Sequence, residues 1–228
     1  MGLTGAFKNW RSRHFGTWSL DDPRPIAAGA PYTFYLPSVG LVDTVEPGDM
    51  IQAIFRPDPP DREFDAERMW VEVDSIEDDQ FVGRLVNTAS DIPQLPLYTK
   101  VSVPRTHVID VEFAEGKIVP RESDKRWYWE RCMVDACVLD GRSRVDYIYR
   151  EDDDMAAPDD KYPDSGWRIR GTDEGIAEDD QMGRHPSYVA VGAVLNQDDR
   201  WLGLIDEPVG SAFIWSEPDR AFITTGDE

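Results

Sequence analysis

Between positions 69 and 74, Met69, Val71 and Val73 alternate with Trp70, Glu72 and Asp74. This period of two constrains the fold more than any other feature, because it gives an extended chain one face for a core and one for solvent. The same signature surrounds it. Pro47-Gly48-Asp49 reads as a turn into a strand over Met50–Phe55, and Pro57–Asp61 breaks the chain again. Glu77-Asp78-Asp79 makes a polar turn before Phe81–Leu85, which predicts a hairpin. Lys100–Val103 and Val108–Val111 add two short strands, with a helix expected near Ser90 or in the leader. Residues 32–115 therefore read as a small α+β domain on an antiparallel sheet.

Residues 1–31 read as an irregular leader with the turn-rich Asp21–Pro25. Within it Trp10, Phe15 and Trp18 either dock on the first domain or form a partner-binding arm. Polar Ala114–Lys125, with Gly116 and Pro120, is the linker. Residues 126–228 form a second module. Glu130–Leu139 alternates and stops at Asp140-Gly141, a dipeptide suited to a type I′ turn. Arg144–Arg150 then returns as the partner strand, with Val145, Tyr147 and Tyr149 on one face. Trp167–Arg170 is a short strand, Tyr188–Leu195 a strand or short helix, and Val209–Trp215 closes the sheet. The class is α+β and β-rich, with two small modules each built on an antiparallel sheet.

The chain of 228 residues carries a formal charge of −21. Residues 1–120 contribute −8 (11 basic, 19 acidic) and residues 121–228 contribute −13 (13 basic, 26 acidic), so the excess is not a tail. Such a surface repels a phosphate backbone, which argues against nucleic acid. The acidity either keeps the protein soluble or steers in a basic partner. Cys132 and Cys137, five apart on an expected strand, point to opposite faces and are poorly placed to pair. His14, His107 and His185 are scattered and no C-x-x-C occurs, so no metal site is expected. Asp152-Asp153-Asp154 and Glu178-Asp179-Asp180 lack calcium-loop spacing and read as solvated loops. Asp164-Ser165-Gly166-Trp167 is not a nucleophile elbow, and no phosphate-binding glycine motif is present. No catalytic residue and no cofactor are expected. Met1–Leu20 has no apolar stretch of a signal peptide, and no run reaches the length of a membrane span, so a cytoplasmic location without a membrane partner is expected.

The most specific segment is Asp164–Glu174. Asp164 and Ser165 can bond nearby backbone amides, Gly166 permits a tight turn, Trp167 can fill the core, and Asp173 and Glu174 follow the strand as surface acids. Either this motif holds the fold, or Asp164, Ser165, Trp167, Asp173 and Glu174 form a recognition surface. Tyr147–Glu151, then Asp164–Arg168 with Gly171–Glu174, then Asp206–Phe213 stand in the order of a known family. On these motifs Cys132–Phe213 resembles the bacterial immunity protein 33 family, antidotes of polymorphic toxin systems. The resemblance implies a protein that neutralises a cognate toxin, the complement being a basic or active-site surface. It carries over no catalytic residue. Gly48–Val111 resembles the uncharacterised bacterial domain family 2314, on Met69–Val73, Phe81–Asn87, Val101 to Arg105 and Val108–Asp110. This implies a small α+β fold and no known activity. A non-catalytic scaffold or regulatory protein and a small-ligand-binding protein stand as alternatives, and oligomeric state is open.

Overall fold

The computed structural model describes residues 17–58, 65–90, 92–119, 125–153, 155–157 and 159–225. Trp10 and Phe15 of the leader and Asp154 of the acidic loop lie outside them. The chain divides into two compact units, Met1–Gly29 with Phe34–Asp124, and Ala30–Thr33 with Lys125–Glu228.

The N-terminal unit is built on strands β1 (Thr17–Leu20), β2 (Met50–Asp58), β3 (Glu67–Glu77), β4 (Gln80–Leu85), β5 (Lys100–Pro104) and β6 (Asp110–Glu112). The order is β1-β2-β3-β4-β5, every pairing is antiparallel, and β6 pairs with β2. β3 takes one edge of β2 from Met50 to Phe55. β6 at Met50–Gln52 and β1 at Phe55–Asp58 therefore share the other edge. The alternation at Met69–Val73 appears as expected: all three apolar side chains are buried. Opposed residues on one face build the core, as in Ile51–Val71–Leu85 across three strands. At Gly83 a Cβ would stand 2.0 Å from the Glu72 carbonyl oxygen, so the backbones beside the β3 bulge approach too closely for any side chain.

From Thr17 onward the leader is ordered, and of the two places expected for a helix the leader carries it. β1 is a sheet strand, Trp18 packs on the core with its ring 5.4 Å from that of Phe55, and Pro23–Gly29 forms helix α1. Four residues are too few to show a period, and their partner strand lies more than 30 residues along the chain. A second helix, α2, spans Val39–Val42. Asp49 is buried at the start of β2. It accepts from Lys117 Nζ at 2.6 Å and from the amides of Ala114 and Glu46. Burial alone would raise its pKa, but Lys117 and the two amides hold it below the ordinary value.

The C-terminal unit has strands β7 (Arg131–Val134), β8 (Tyr147–Arg150), β9 (Asp164–Arg170), β10 (Ser187–Ala190), β11 (Ala212–Ser216) and β12 (Ala221–Thr224). Their order is β10-β7-β9-β8-β11-β12. All pairings are antiparallel except β7–β9, which is parallel. Helices α3 (Ala136–Leu139), α4 (Asp173–Met182) and α5 (Val191–Leu195) accompany the sheet. The core gathers Cys132, Val134, Val138, Ile148, Trp167, Ile169, Val191, Val194 and Trp201.

The hairpin expected at Asp140-Gly141 is not formed. Gly141 does take a positive φ of 70°, but it follows α3, and β7 pairs with β9 and β10 rather than β8. The physical reason is Asp135. Its amide donates to the Ile169 carbonyl, and its carboxylate accepts from Arg170 Nε at 2.7 Å and from the Gly171 amide. These bonds draw β7 alongside β9. Cys132 therefore lies on a strand and Cys137 on a helix, both buried and free. Tyr188–Leu195 is strand and then helix, and β12, not β11, forms the sheet edge.

Candidate binding face

Opposed residues of paired strands point to the same side of a sheet, so the register fixes what each face displays. Ile148 and Phe213 face the core, which turns Tyr147, Tyr149, Ala212 and Ile214 to the other side. Two rows cross that face. One runs Tyr188, Met133, Arg168, Tyr149, Ala212. The second runs Arg170, Tyr147, Ile214, Ile223. Ile214 is 39% exposed and Ile223 45%. Tyr147 and Tyr149 stack with ring centroids 5.4 Å apart. A shallow cavity of about 150 Å³ opens between Met133, Tyr149, Arg168, Arg170 and Pro186. Half-buried Met133, Tyr147 and Tyr149 beside exposed Ile214 and Ile223 have the composition of a protein interface centre, whereas the Arg168 side chain is buried.

The residues singled out from sequence divide in two. Asp164, Ser165 and Trp167 lie inside β9 and hold it. The Asp164 side chain is wholly buried; it accepts from Arg168 Nη1 and Nη2 at 3.2 and 3.1 Å and from the Gly166 amide at 3.1 Å. Ser165 Oγ donates to the Arg131 carbonyl at 2.8 Å and accepts from the Trp167 amide. Gly166 sits at φ 76°, where a Cβ would fall 2.2 Å from the Glu151 carbonyl oxygen, so glycine is required twice over. Trp167 is fully buried, its Nε1 donates to the Ile205 carbonyl at 3.1 Å, and its ring meets Trp201 edge-on. Arg168 donates through Nε to Glu151 Oε2 at 3.0 Å. Burial would lower its pKa, but Asp164 and Glu151 raise it, so it stays charged. Asp164 and Trp167 are thus buried and Ser165 half-buried in this structure.

Asp173 and Glu174 are exposed in the first turn of α4, where Thr172 caps the helix through the Gly175 amide and acids suit the helix dipole. The helix that carries them packs on the core side, where Ile176 meets the hydrophobic cluster and Gly175 lies against Cys137. Behind them Asp179 is buried and accepts from Arg142 Nη2 at 2.5 Å and the Cys137 amide at 2.6 Å. Burial pushes the Cys137 thiol up to about 11, so it is no nucleophile at neutral pH.

Sequence reasoning missed Ile214 and Ile223 because it passed over the turn at Ser216–Arg220, with Pro218 and Asp219, and so did not separate β12 from β11. It also grouped Val145 with the two tyrosines, whereas Val145 precedes β8 and is buried in the core. Among the described residues no group of three or more His, Cys, Asp or Glu side chains is placed to hold a metal ion, and no helix is long and apolar enough to cross a membrane.

The motif segments meet in space. Arg150 Nε donates to the Ser165 carbonyl and its Nη1 to that of Glu207, joining β8, β9 and the loop into β11. Residues 132–225 match the family model of the immunity protein Imm33 domain. The Imm33 match thus covers all but the first residue of the sheet that displays the open face. No curated protein and no solved structure matches the chain. These comparisons add nothing to the family 2314 resemblance of residues 48–111.

Proposed function

We propose that the C-terminal unit is an immunity module of a polymorphic toxin system, which neutralises a cognate toxin in the cytoplasm by binding it, without chemistry of its own. The single observation that carries this reading is the Imm33 match over residues 132–225. The open face supports it: Tyr147, Tyr149, Ile214 and Ile223 supply an apolar centre, and the exposed acids Asp173 and Glu174 suit a basic toxin surface. On this face a small-ligand site is less well supported, since its cavity of about 150 Å³ is smaller than the roughly 300–1,000 Å³ of small-molecule pockets; cavities of about 390 Å³ beside Val42 and Val108 and about 350 Å³ beside Trp215 and Phe222 lie elsewhere.

Co-expression with the product of the neighbouring gene, the expected toxin, tests the reading. The wild-type chain is expected to rescue growth and to co-purify with the toxin. An Ile214→Asp, Ile223→Asp double variant is expected to lose both while keeping its far-ultraviolet circular dichroism. Absence of rescue and of a complex with the wild-type chain would sink the immunity reading. Full rescue by the folded double variant would remove the face from it.

A further inference from the structure

The turn from β11 to β12 holds an arginine in a backbone state that glycine would suit better. Arg220 has a φ of 50°, in the left-handed region that costs an ordinary side chain. It is exposed and makes no hydrogen bond or ion pair with the described residues, so no polar contact among them offsets that strain. Arg220 instead lines a cavity of about 350 Å³, together with Arg200, Leu204, Trp215 and Phe222. A volume of roughly 300–1,000 Å³ is that of small-molecule pockets. Successive residues of a strand point to opposite sides. Trp215 and Phe222, opposed across the two strands, therefore stand on the side away from Ile214 and Ile223, and the cavity is separate from the open face.

Every polar side chain of this lining is a donor. Arg200 spends Nε and Nη2 on Asp198 and the Val145 carbonyl, which leaves its Nη1 without a partner among the described residues. Trp215 Nε1 is buried and has no acceptor among them either. The acids nearby are engaged elsewhere: Asp198 with Arg200 and the Val145 amide, Asp146 and Glu217 with Arg144, and Asp219 with Ser216. None of these acids lines the cavity. Its apolar wall is made by Leu204 and the rings of Trp215 and Phe222, all half-buried. Donors call for an acceptor, a guanidinium pairs best with a planar carboxylate, and aromatic walls suit a ring. We propose that this cavity binds a small aromatic carboxylate, which accepts from Arg220 and Arg200 Nη1 while its ring lies against Leu204, Trp215 and Phe222. This goes beyond the immunity reading, because the ligand is a free small molecule and the site lies on the other side of the sheet from the face assigned to the toxin.

Isothermal titration of the full chain at physiological salt, with phenylacetate as the probe, tests the site without any toxin. Phenylacetamide has the ring without the charge, and acetate and inorganic phosphate have charge without the ring. The wild-type protein is expected to bind phenylacetate about tenfold more tightly than any of the three. Arg220→Gly and Arg220→Asn both suit the left-handed backbone. They should bring phenylacetate down to the level of the amide while leaving the urea unfolding midpoint no lower, and Arg220→Lys should keep part of the preference. The Ile214→Asp, Ile223→Asp variant should bind phenylacetate as the wild-type protein does. Equal binding of phenylacetate and phenylacetamide by the wild-type protein, or a preference that survives Arg220→Gly, would overturn the site. Acetate or phosphate binding as tightly as phenylacetate would overturn its aromatic half. Failure of the toxin to bind would leave these results untouched.

Discussion

The two units join their strands differently, and they bury charge differently. In the N-terminal unit β3–β4 is a two-residue hairpin, all pairings are antiparallel, and Asp49 is the buried charged residue among those described. The C-terminal unit orders its strands β10-β7-β9-β8-β11-β12 and buries Asp135, Asp164, Arg168 and Asp179. Those charges stand where distant segments cross. Asp135 ties the end of β7 to Arg170, Arg168 ties β9 to Glu151 after β8, and Asp179 ties α4 to Arg142 after α3. A short hairpin sets its own register, whereas a long connection leaves register open. We read the buried pairs as what selects one arrangement there.

The largest expected effect breaks such a pair. Arg168→Ala leaves the wholly buried Asp164 carboxylate without its partner and should cost the C-terminal unit about 3–5 kcal/mol. Hydrogen exchange should show the loss in β7–β9 and leave β2–β4 protected. Equal loss in both units would contradict the comparison.

Next come the two glycines at close backbone approaches. Gly83→Ala meets the Glu72 carbonyl and should cost about 1–3 kcal/mol, as overpacking does. Gly166→Ala adds an unfavourable positive φ to a similar clash and should cost about 1 kcal/mol more than Gly83→Ala. Urea denaturation measures both, and a smaller cost at Gly166 would mean that the β9 backbone there is pliable.

The smallest effect is acid sensitivity. Burial would raise the pKa values of Asp49, Asp179 and Asp198, yet Lys117, Arg142 and Arg200 respectively lead the interactions that lower each one. A carboxylate with a depressed folded pKa contributes its stability above the unfolded value near 3.8 and loses it as pH falls through the folded value. Stability should therefore be flat from pH 7 to about 5 and decline below about 4. With two of these groups against one, the C-terminal unit should decline first in a pH series followed by hydrogen exchange.

What was legible in the sequence follows the same division. Met69–Val73 and Phe81–Leu85 could be read because period, turn and partner all lie within about 20 residues. The β7–β9 pairing could not, because its partners are over 30 residues apart and neither strand signals direction. Asp140-Gly141 misled because a glycine with positive φ serves a helix end as well as a hairpin. Trp167 and the amide bonds of Asp164 and Ser165 were readable as local chemistry. Burial was not, since a carboxylate looks solvated until its arginine is placed. The face of Tyr147, Ile214 and Ile223 needed the register of three strands.

The central claim is that the C-terminal unit binds its toxin through that face. Titration of purified toxin into the full chain tests it most directly. The account predicts that Ile214→Asp with Ile223→Asp raises Kd about 100-fold or more and leaves the unfolding midpoint nearly unchanged. An unchanged Kd in the folded double variant would contradict it.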